Sequence, residues 1–141
     1  MSNYTKIEFE DIVVYIDQLR INIYDSVMQE VFSTRSPKIA VWHDLNIHYY
    51  HDNDKDVVGV LDCAFLNDNP QSRKTIFLDL HLRAKGKFDT DAELFSKIVK
   101  FAHSFITDHV KENQIKDENG QDFKIPDLVF TEEDFKLVFP N

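Results

Sequence analysis

Glycine, proline and cysteine are all scarce in this chain of 141 residues. One cysteine cannot form an internal disulfide, so disulfide bonds do not hold the fold together. Three isolated glycines cannot supply the glycine-rich loop that binds nucleotide phosphates. Three glycines and four prolines also leave few positions for tight turns, so we expect long uninterrupted strands and helices.

Long apolar runs and an excess of positive charge are absent as well. No stretch approaches the roughly 20 apolar residues of a transmembrane helix, and the polar start MSNYTKIEFEDI does not resemble a signal peptide. A net charge of −9 would repel a phosphate backbone, which argues against nucleic-acid binding. We therefore expect a cytoplasmic protein that contacts neither membranes nor nucleic acids.

The chain does contain enough apolar material for one core. Hydrophobic residues make up 43% and charged residues 29%, a balance typical of globular proteins rather than disordered ones. The length suits a single domain over residues 1–141. Twelve phenylalanines and five tyrosines make the chain rich in aromatic side chains, which must either fill the core or form a contact surface.

Four segments have the residue pattern of a β-strand. Residues 38–50 alternate over their whole length, which indicates a strand with one mainly buried face. Residues 56–66 are apolar on both faces, as in an interior strand, and residues 73–88 alternate again. Short polar turns between these three predict an antiparallel meander. A strand over 11–24, followed by an irregular or short helical connection over 25–37, completes a four-stranded sheet.

After Phe88 the apolar spacing changes to that of a helix. Thr90 and Glu93 form a capping-box pattern, and the helix should end in a polar stretch near Gly120. An extended segment over 123–130 and a short terminal helix over 131–139 follow. The predicted fold class is therefore α+β, with the long helix packed on one face of the sheet. Its apolar stripe consists of Leu94, Phe95, Ile98, Val99, Ala102, Phe105, Ile106 and Val110.

The stretch WHDLNIHYYHDND, residues 42–54, concentrates histidine and aspartate. On a strand, His43 and His51 would lie about 26 Å apart, and His48 would face the other way. A zinc ion needs its ligand nitrogens at about 2.1 Å, so these histidines cannot form a zinc site by themselves. The turn HDNDKD has oxygen donors at alternate positions, as calcium loops do, but lacks their glycine and distal glutamate. We interpret the stretch as a strand running into an acidic turn and expect no metal.

No set of residues predicts catalysis. Asp79 and His81 share a face of their strand, but no nucleophile motif such as G-x-S-x-G accompanies them. His103 and His109 project to different faces of the helix. Cys63 lies in an apolar run, where a buried and unreactive thiol is expected. We therefore expect a protein that is not an enzyme and uses no cofactor.

Three aromatic residues lie opposite or outside the main apolar stripe. Trp42 and Tyr50 fall on the even-numbered face of one strand, and Phe77 falls on the polar face of another. Either these rings are covered by the N-terminal strand or a partner subunit, or they line an exposed apolar groove for another polypeptide. Trp42, Tyr50 and Phe77 are the candidate polypeptide-binding residues.

The order of segments resembles a known chaperone fold. A strand and an irregular crossover precede a long meander that ends in FLDLHLRAKGKF, with Gly86 and Phe88 at the strand end. The helix DAELFSKIVKFAHSFITDHV, an extended KIPDLVF and a final EEDFKLVF follow. This order resembles the SecB-like fold, which includes the export chaperone SecB and its relatives in Gram-positive bacteria. The charged KENQIKDENGQD stands where that family has a proline-rich loop.

The resemblance implies a function as well as a fold. A SecB-like protein would be a homo-oligomer, a dimer or a tetramer, that binds non-native polypeptides without catalysis. Apolar grooves between sheet and helix would hold extended segments by apolar burial and strand-like backbone bonding. The alternative is a small regulatory or phage-derived inhibitor that binds one folded protein partner, possibly by acidic mimicry; an enzyme ranks third.

Overall fold

The computed structural model describes residues 5–24, 39–50, 54–69, 72 and 74–127. Four of the strands in this part of the chain contain 12 or 13 residues each, as the shortage of glycine and proline predicts. The elements in chain order are β1 (Thr5–Phe9), β2 (Ile12–Tyr24), β3 (Ile39–Tyr50), β4 (Asp54–Leu66), β5 (Thr75–Lys87) and α1 (Asp91–Glu112).

All five strands belong to one antiparallel sheet with the order β1-β2-β5-β4-β3. Neighbours in the chain are neighbours in the sheet from β3 to β5, as the predicted meander requires. β2 pairs with the other side of β5, which places β5 at the centre. The sheet has one strand more than the four predicted, because Thr5–Phe9 turns back at Glu10 and pairs with the start of β2.

The helix α1 packs on one face of the sheet, which confirms the α+β architecture. Thr90 Oγ1 accepts a hydrogen bond from the Glu93 amide at 3.1 Å, and Glu93 Oε2 accepts one from the Asp89 amide at 3.2 Å, so the predicted cap is present. The predicted apolar stripe is buried, apart from Phe105, which is partly buried. The strand residues that it covers are Ile12, Val14, Ile16, Leu61, Cys63, Phe65, Ile76, Leu78, Leu80, Leu82 and Ala84.

The helix ends earlier than predicted. Its last residue is Glu112 rather than one near Gly120, and the Asn113 amide donates to the carbonyl of His109 at 3.0 Å. The chain then reverses through a compact polar loop, in which the Phe123 amide donates to the carbonyl of Ile115 at 3.0 Å. The helix stops where its apolar stripe stops, because further polar turns would bury nothing against the sheet.

The turn between β1 and β2 is held against the helix by ion pairs. Glu10 has a φ of 50°, a left-handed conformation that residues other than glycine seldom adopt. Its carboxylate lies 3.1 Å from Lys97 Nζ and 3.5 Å from Lys100 Nζ. The hydrogen bond from Lys97 is the main reason that the pKa of Glu10 is lowered. The N-terminal hairpin is therefore joined directly to a helix that is 87 residues away in sequence.

Predictions for the connection over 25–37 and the terminal helix over 131–139 lie outside the described residues. Of the predicted turn HDNDK, residues 51–53 also lie outside them, whereas Asp54 and Lys55 belong to β4 rather than to a turn, because they pair with Tyr50 and Tyr49. Within the described part of the chain, no helix is both long enough and apolar enough to cross a membrane.

Candidate functional site

The strand β2 is paired along its whole length on one side but along only part of it on the other. β5 pairs with β2 from Ile12 to Tyr24. β1 pairs with the opposite edge only from Ile12 to Ile16. Among the described residues, no strand continues this edge beyond Ile16. We call Gln18–Tyr24 the β2 edge.

A bulge at Asp17 decides which side chains the β2 edge presents to the helix side of the sheet. The pairing of β2 with β5 shifts by one residue between Ile16 and Gln18. Before the shift, even-numbered residues of β2 lie on the helix side and are buried. After it, Leu19, Ile21 and Ile23 lie opposite buried residues of β5, so odd-numbered residues occupy that side. The bulge thereby keeps apolar residues on the helix side along the whole strand.

The helix does not cover this second half of β2. Phe101 packs against Phe9 of β1, with ring centroids 5.7 Å apart, and the His103 ring lies 6.3 Å from the ring of Phe65 on β4. These ring contacts of α1 involve β1 and β4 rather than the second half of β2.

As a result, the β2 edge carries exposed apolar side chains. Leu19 is 43% exposed and Ile23 is 42% exposed, and Ile21 between them is partly buried against the core. An unpaired strand edge offers backbone N–H and C=O groups at the spacing that another strand needs. Combined with alternate apolar side chains, this arrangement can accept an extended polypeptide as an added strand.

The opposite face of the sheet carries a pair of carboxylates next to the same edge. Asp62 of β4 and Asp79 of β5 are direct register partners, and Arg20 of β2 is the partner of Asp79 on its other side. Burial raises the pKa of Asp62 to about 7, with further contributions from a hydrogen bond to Asp79 and from the negative charge of Asp79. His81 Nε2 lies 3.7 Å from Asp79 Oδ1, so the shared face predicted for these two residues is confirmed.

This acidic pair includes a carboxyl whose pKa is raised towards neutral pH. A carboxyl that titrates near neutrality is suited to proton transfer. Among the described residues, however, no cluster of three His, Cys, Asp or Glu side chains could hold a metal ion. Cys63 is buried on the helix side of β4, where burial raises the pKa of its thiol strongly and leaves it unreactive at neutral pH.

The three predicted binding residues do not converge on one spot. Trp42 is the register partner of Asp62, and Phe77 is the partner of Ala64, one row further along the same face. Tyr50 lies eight residues beyond Trp42 on β3, about 26 Å away at the rise of an extended strand. Phe77 is partly buried. The side chains of Trp42 and Tyr50 lie outside the described part of the structure.

Two of the three histidines in residues 42–54 lie on a described strand. His43 and His48 both lie on β3. The backbone register pairs His43 with Leu61 and His48 with Asp56. His51 lies outside the described residues.

Sequence reasoning missed both the β2 edge and Asp62. The alternation of β2 changes phase at Asp17, and this change was a readable sign of a bulge. Asp62 is the one charged residue in the apolar run VVGVLDCAFL, which was a sign that it needs a special environment. Comparison of the chain with protein-family models, curated proteins and solved structures finds no match.

Proposed function

We propose that this protein is a cytoplasmic, non-catalytic polypeptide-binding protein of the SecB-like holdase type. The observation that supports this proposal is the β2 edge, an unpaired strand edge among the described residues with exposed apolar side chains at alternate positions. An extended segment of a non-native chain bonds to the backbone of this edge. Its own apolar side chains pack on Leu19, Ile21 and Ile23.

The expected affinity for one segment is modest. Burying a whole leucine or isoleucine side chain contributes about 1.5–3 kcal/mol, so the exposed fractions of Leu19 and Ile23 contribute about 1 kcal/mol each. Each backbone hydrogen bond adds about 0.5–1.5 kcal/mol. Ordering a flexible segment offsets much of this gain. Weak, reversible capture of exposed strands suits a holdase, which must release its clients.

The test compares two substitutions at the β2 edge with a matched substitution elsewhere. Leu19→Lys with Ile23→Lys places charges on the exposed apolar positions, as natural proteins do to block strand addition. Val58→Lys is the control. Val58 lies on β4, is 40% exposed, and is on the face of the sheet opposite to Leu19 and Ile23. All three positions are partly solvated, so each variant should fold with an unchanged circular dichroism spectrum.

The wild type should slow the aggregation of a chemically denatured client at near-stoichiometric amounts and without ATP, as followed by light scattering. The edge variant should bind client about 30-fold more weakly, since about 2 kcal/mol of apolar contact is lost. Val58→Lys should match the wild type. Amide hydrogen exchange across residues 18–24 should slow when client is added, because added strand bonds protect the edge.

Two results would contradict this proposal. One is a wild type that suppresses no aggregation. The other is protection of residues 18–24 that increases with protein concentration in the absence of client. If the edge variant then lost both this protection and the ability to form dimers, the β2 edge would be a subunit contact. Tight binding of one folded protein, with no binding of denatured clients, would favour the inhibitor alternative. A homo-oligomeric assembly and a role of Trp42, Tyr50 and Phe77 stay predictions.

A further inference from the structure

A second concave surface lies at the far end of the helix. The last turns of α1 and the segment 115–125 enclose a groove of about 610 Å³. This volume is within the range of about 300–1,000 Å³ that is usual for ligand sites. Val110 and Phe123 are buried at its base, and Ile115 and Ile125 are partly buried beside them. We call this surface the helix-end groove.

The wall of the helix-end groove is rigidly held although it is a loop. Asp117 is buried, and its Oδ1 accepts hydrogen bonds from the amides of Asn119 at 2.8 Å and Gln121 at 3.0 Å. Its Oδ2 accepts one from Asn69 Nδ2 at 3.2 Å, which joins the wall to the turn after β4. Asn67 Oδ1 accepts from the Lys124 amide at 3.1 Å. A groove that is already formed loses little entropy when a ligand binds.

The rim of the helix-end groove is basic, in contrast to the chain as a whole. Lys111, Lys116 and Lys124 line it, together with Asp68 and Asp122, so its rim is net positive while the chain carries a net charge of −9. Lys116 is ion-paired with Asp122. Among the described residues, neither Lys111 nor Lys124 forms an ion pair, although the charge of Lys124 is close enough to help lower the pKa of Asp122.

We propose that the helix-end groove binds a short peptide segment in which carboxylate side chains flank apolar ones. The apolar base takes the apolar side chains, and Lys111 and Lys124 pair with the carboxylates at the rim. This inference rests on the proposed function in that the ligand is a polypeptide. It concerns a second site, which shares no lining residue with the β2 edge and has its own charge preference.

The experiment uses the full chain and two fluorescent peptides that share their apolar residues. One carries glutamates on either side of them, and the other carries lysines. Fluorescence anisotropy should detect binding of the acidic peptide and much weaker binding of the basic one. Exposed ion pairs contribute modestly to binding, so Lys111→Gln and Lys124→Gln should each lower the affinity for the acidic peptide about two- to fivefold. Added salt should lower the affinity of the wild type for the acidic peptide as well.

Matched variants separate charge from structure and one site from the other. Lys111→Arg and Lys124→Arg keep the charge and should keep the affinity, whereas Lys85→Gln, an exposed lysine on β5, should have no effect. Ile125→Thr removes apolar contact while keeping a branched side chain, and it should weaken the binding of both peptides. The edge variant Leu19→Lys with Ile23→Lys should bind the acidic peptide as the wild type does.

The possible results distinguish the two sites. Equal binding of both peptides, or acidic-peptide binding that Lys111→Gln and Lys124→Gln leave unchanged, would overturn the proposal for the helix-end groove without contradicting the one for the β2 edge. Loss of acidic-peptide binding in the edge variant would show that the peptide binds at the β2 edge instead. Self-association that the acidic peptide cannot displace would make the groove a contact between two copies of the chain.

Discussion

Replacing Asp62 by Asn should stabilise the protein at neutral and alkaline pH and have little effect in acid. In the folded protein the pKa of Asp62 is raised from 3.8 to about 7, first by burial and then by Asp79. The folded state therefore holds a proton that the unfolded chain releases at lower pH. Stability falls as the pH rises from about 4 to about 7, and it stays low above that range.

The size of the effect follows from the same two values. One pKa unit corresponds to about 1.36 kcal/mol, so the difference between 3.8 and about 7 corresponds to about 4 kcal/mol. Asp62 is partly exposed, and solvent screening reduces this figure to about 2 kcal/mol. Asparagine keeps the shape and hydrogen-bonding capacity of the side chain and never ionises. Asp62→Asn should therefore gain about 2 kcal/mol near pH 8 and close to nothing near pH 4.

Urea unfolding of the wild type and Asp62→Asn across this pH range measures the difference directly. Asp79→Asn should also stabilise the protein at high pH, since it removes the negative charge opposite Asp62. The double variant should gain less than the sum of the two, because either change alone ends the repulsion. A stability difference that does not vary with pH, or strictly additive variants, would refute the argument that the two carboxyls interact.

Four further substitutions test the packing of the core. A Cβ atom at Gly86 would lie 2.2 Å from Phe88 Cε2 and 3.0 Å from Ile12 Cγ2, so Gly86→Ala should cost about 1–3 kcal/mol in denaturant unfolding, and adding Phe88→Ala should recover part of it. Ile98→Ala, at a fully buried position, should cost about 2–5 kcal/mol. Phe105→Ala should cost only about 2 kcal/mol, below the usual 3–5 kcal/mol, because this ring is partly exposed. A cost for Phe105→Ala in the usual range would mean that the ring is fully buried in solution.

The sequence was sufficient for features that depend on neighbours along the chain. The alternation of β5 and the spacing of α1 arise because one face of each element is buried, and burial leaves a periodic record. The Thr90 cap needs only residues within one turn of the helix. For this reason, the meander, the helix start and the buried face of the helix could all be predicted from the order of residues alone.

Features that depend on distant residues could not be predicted in this way. The strand β1 is short and polar, and it is fixed by pairing with β2 and by lysines far along the helix, so its own residues carry little sign of it. The Asp62–Asp79 pair exists only because β4 and β5 pair in one particular register. The open β2 edge depends on the length of β1 and on where α1 packs on the sheet. None of these relations leaves a periodic pattern.

The order of strands in the sheet has a consequence for how the chain folds as it is synthesised. β3, β4 and β5 can pair one after another as each emerges, but β2 has to wait for β5, and Glu10 has to wait for Lys97. Such non-local pairing slows folding and prolongs the exposure of apolar strand faces. A nascent chain that stops before the helix would leave the apolar face of its N-terminal hairpin open to water. The protein therefore passes, at every round of translation, through the kind of state that a holdase is there to protect.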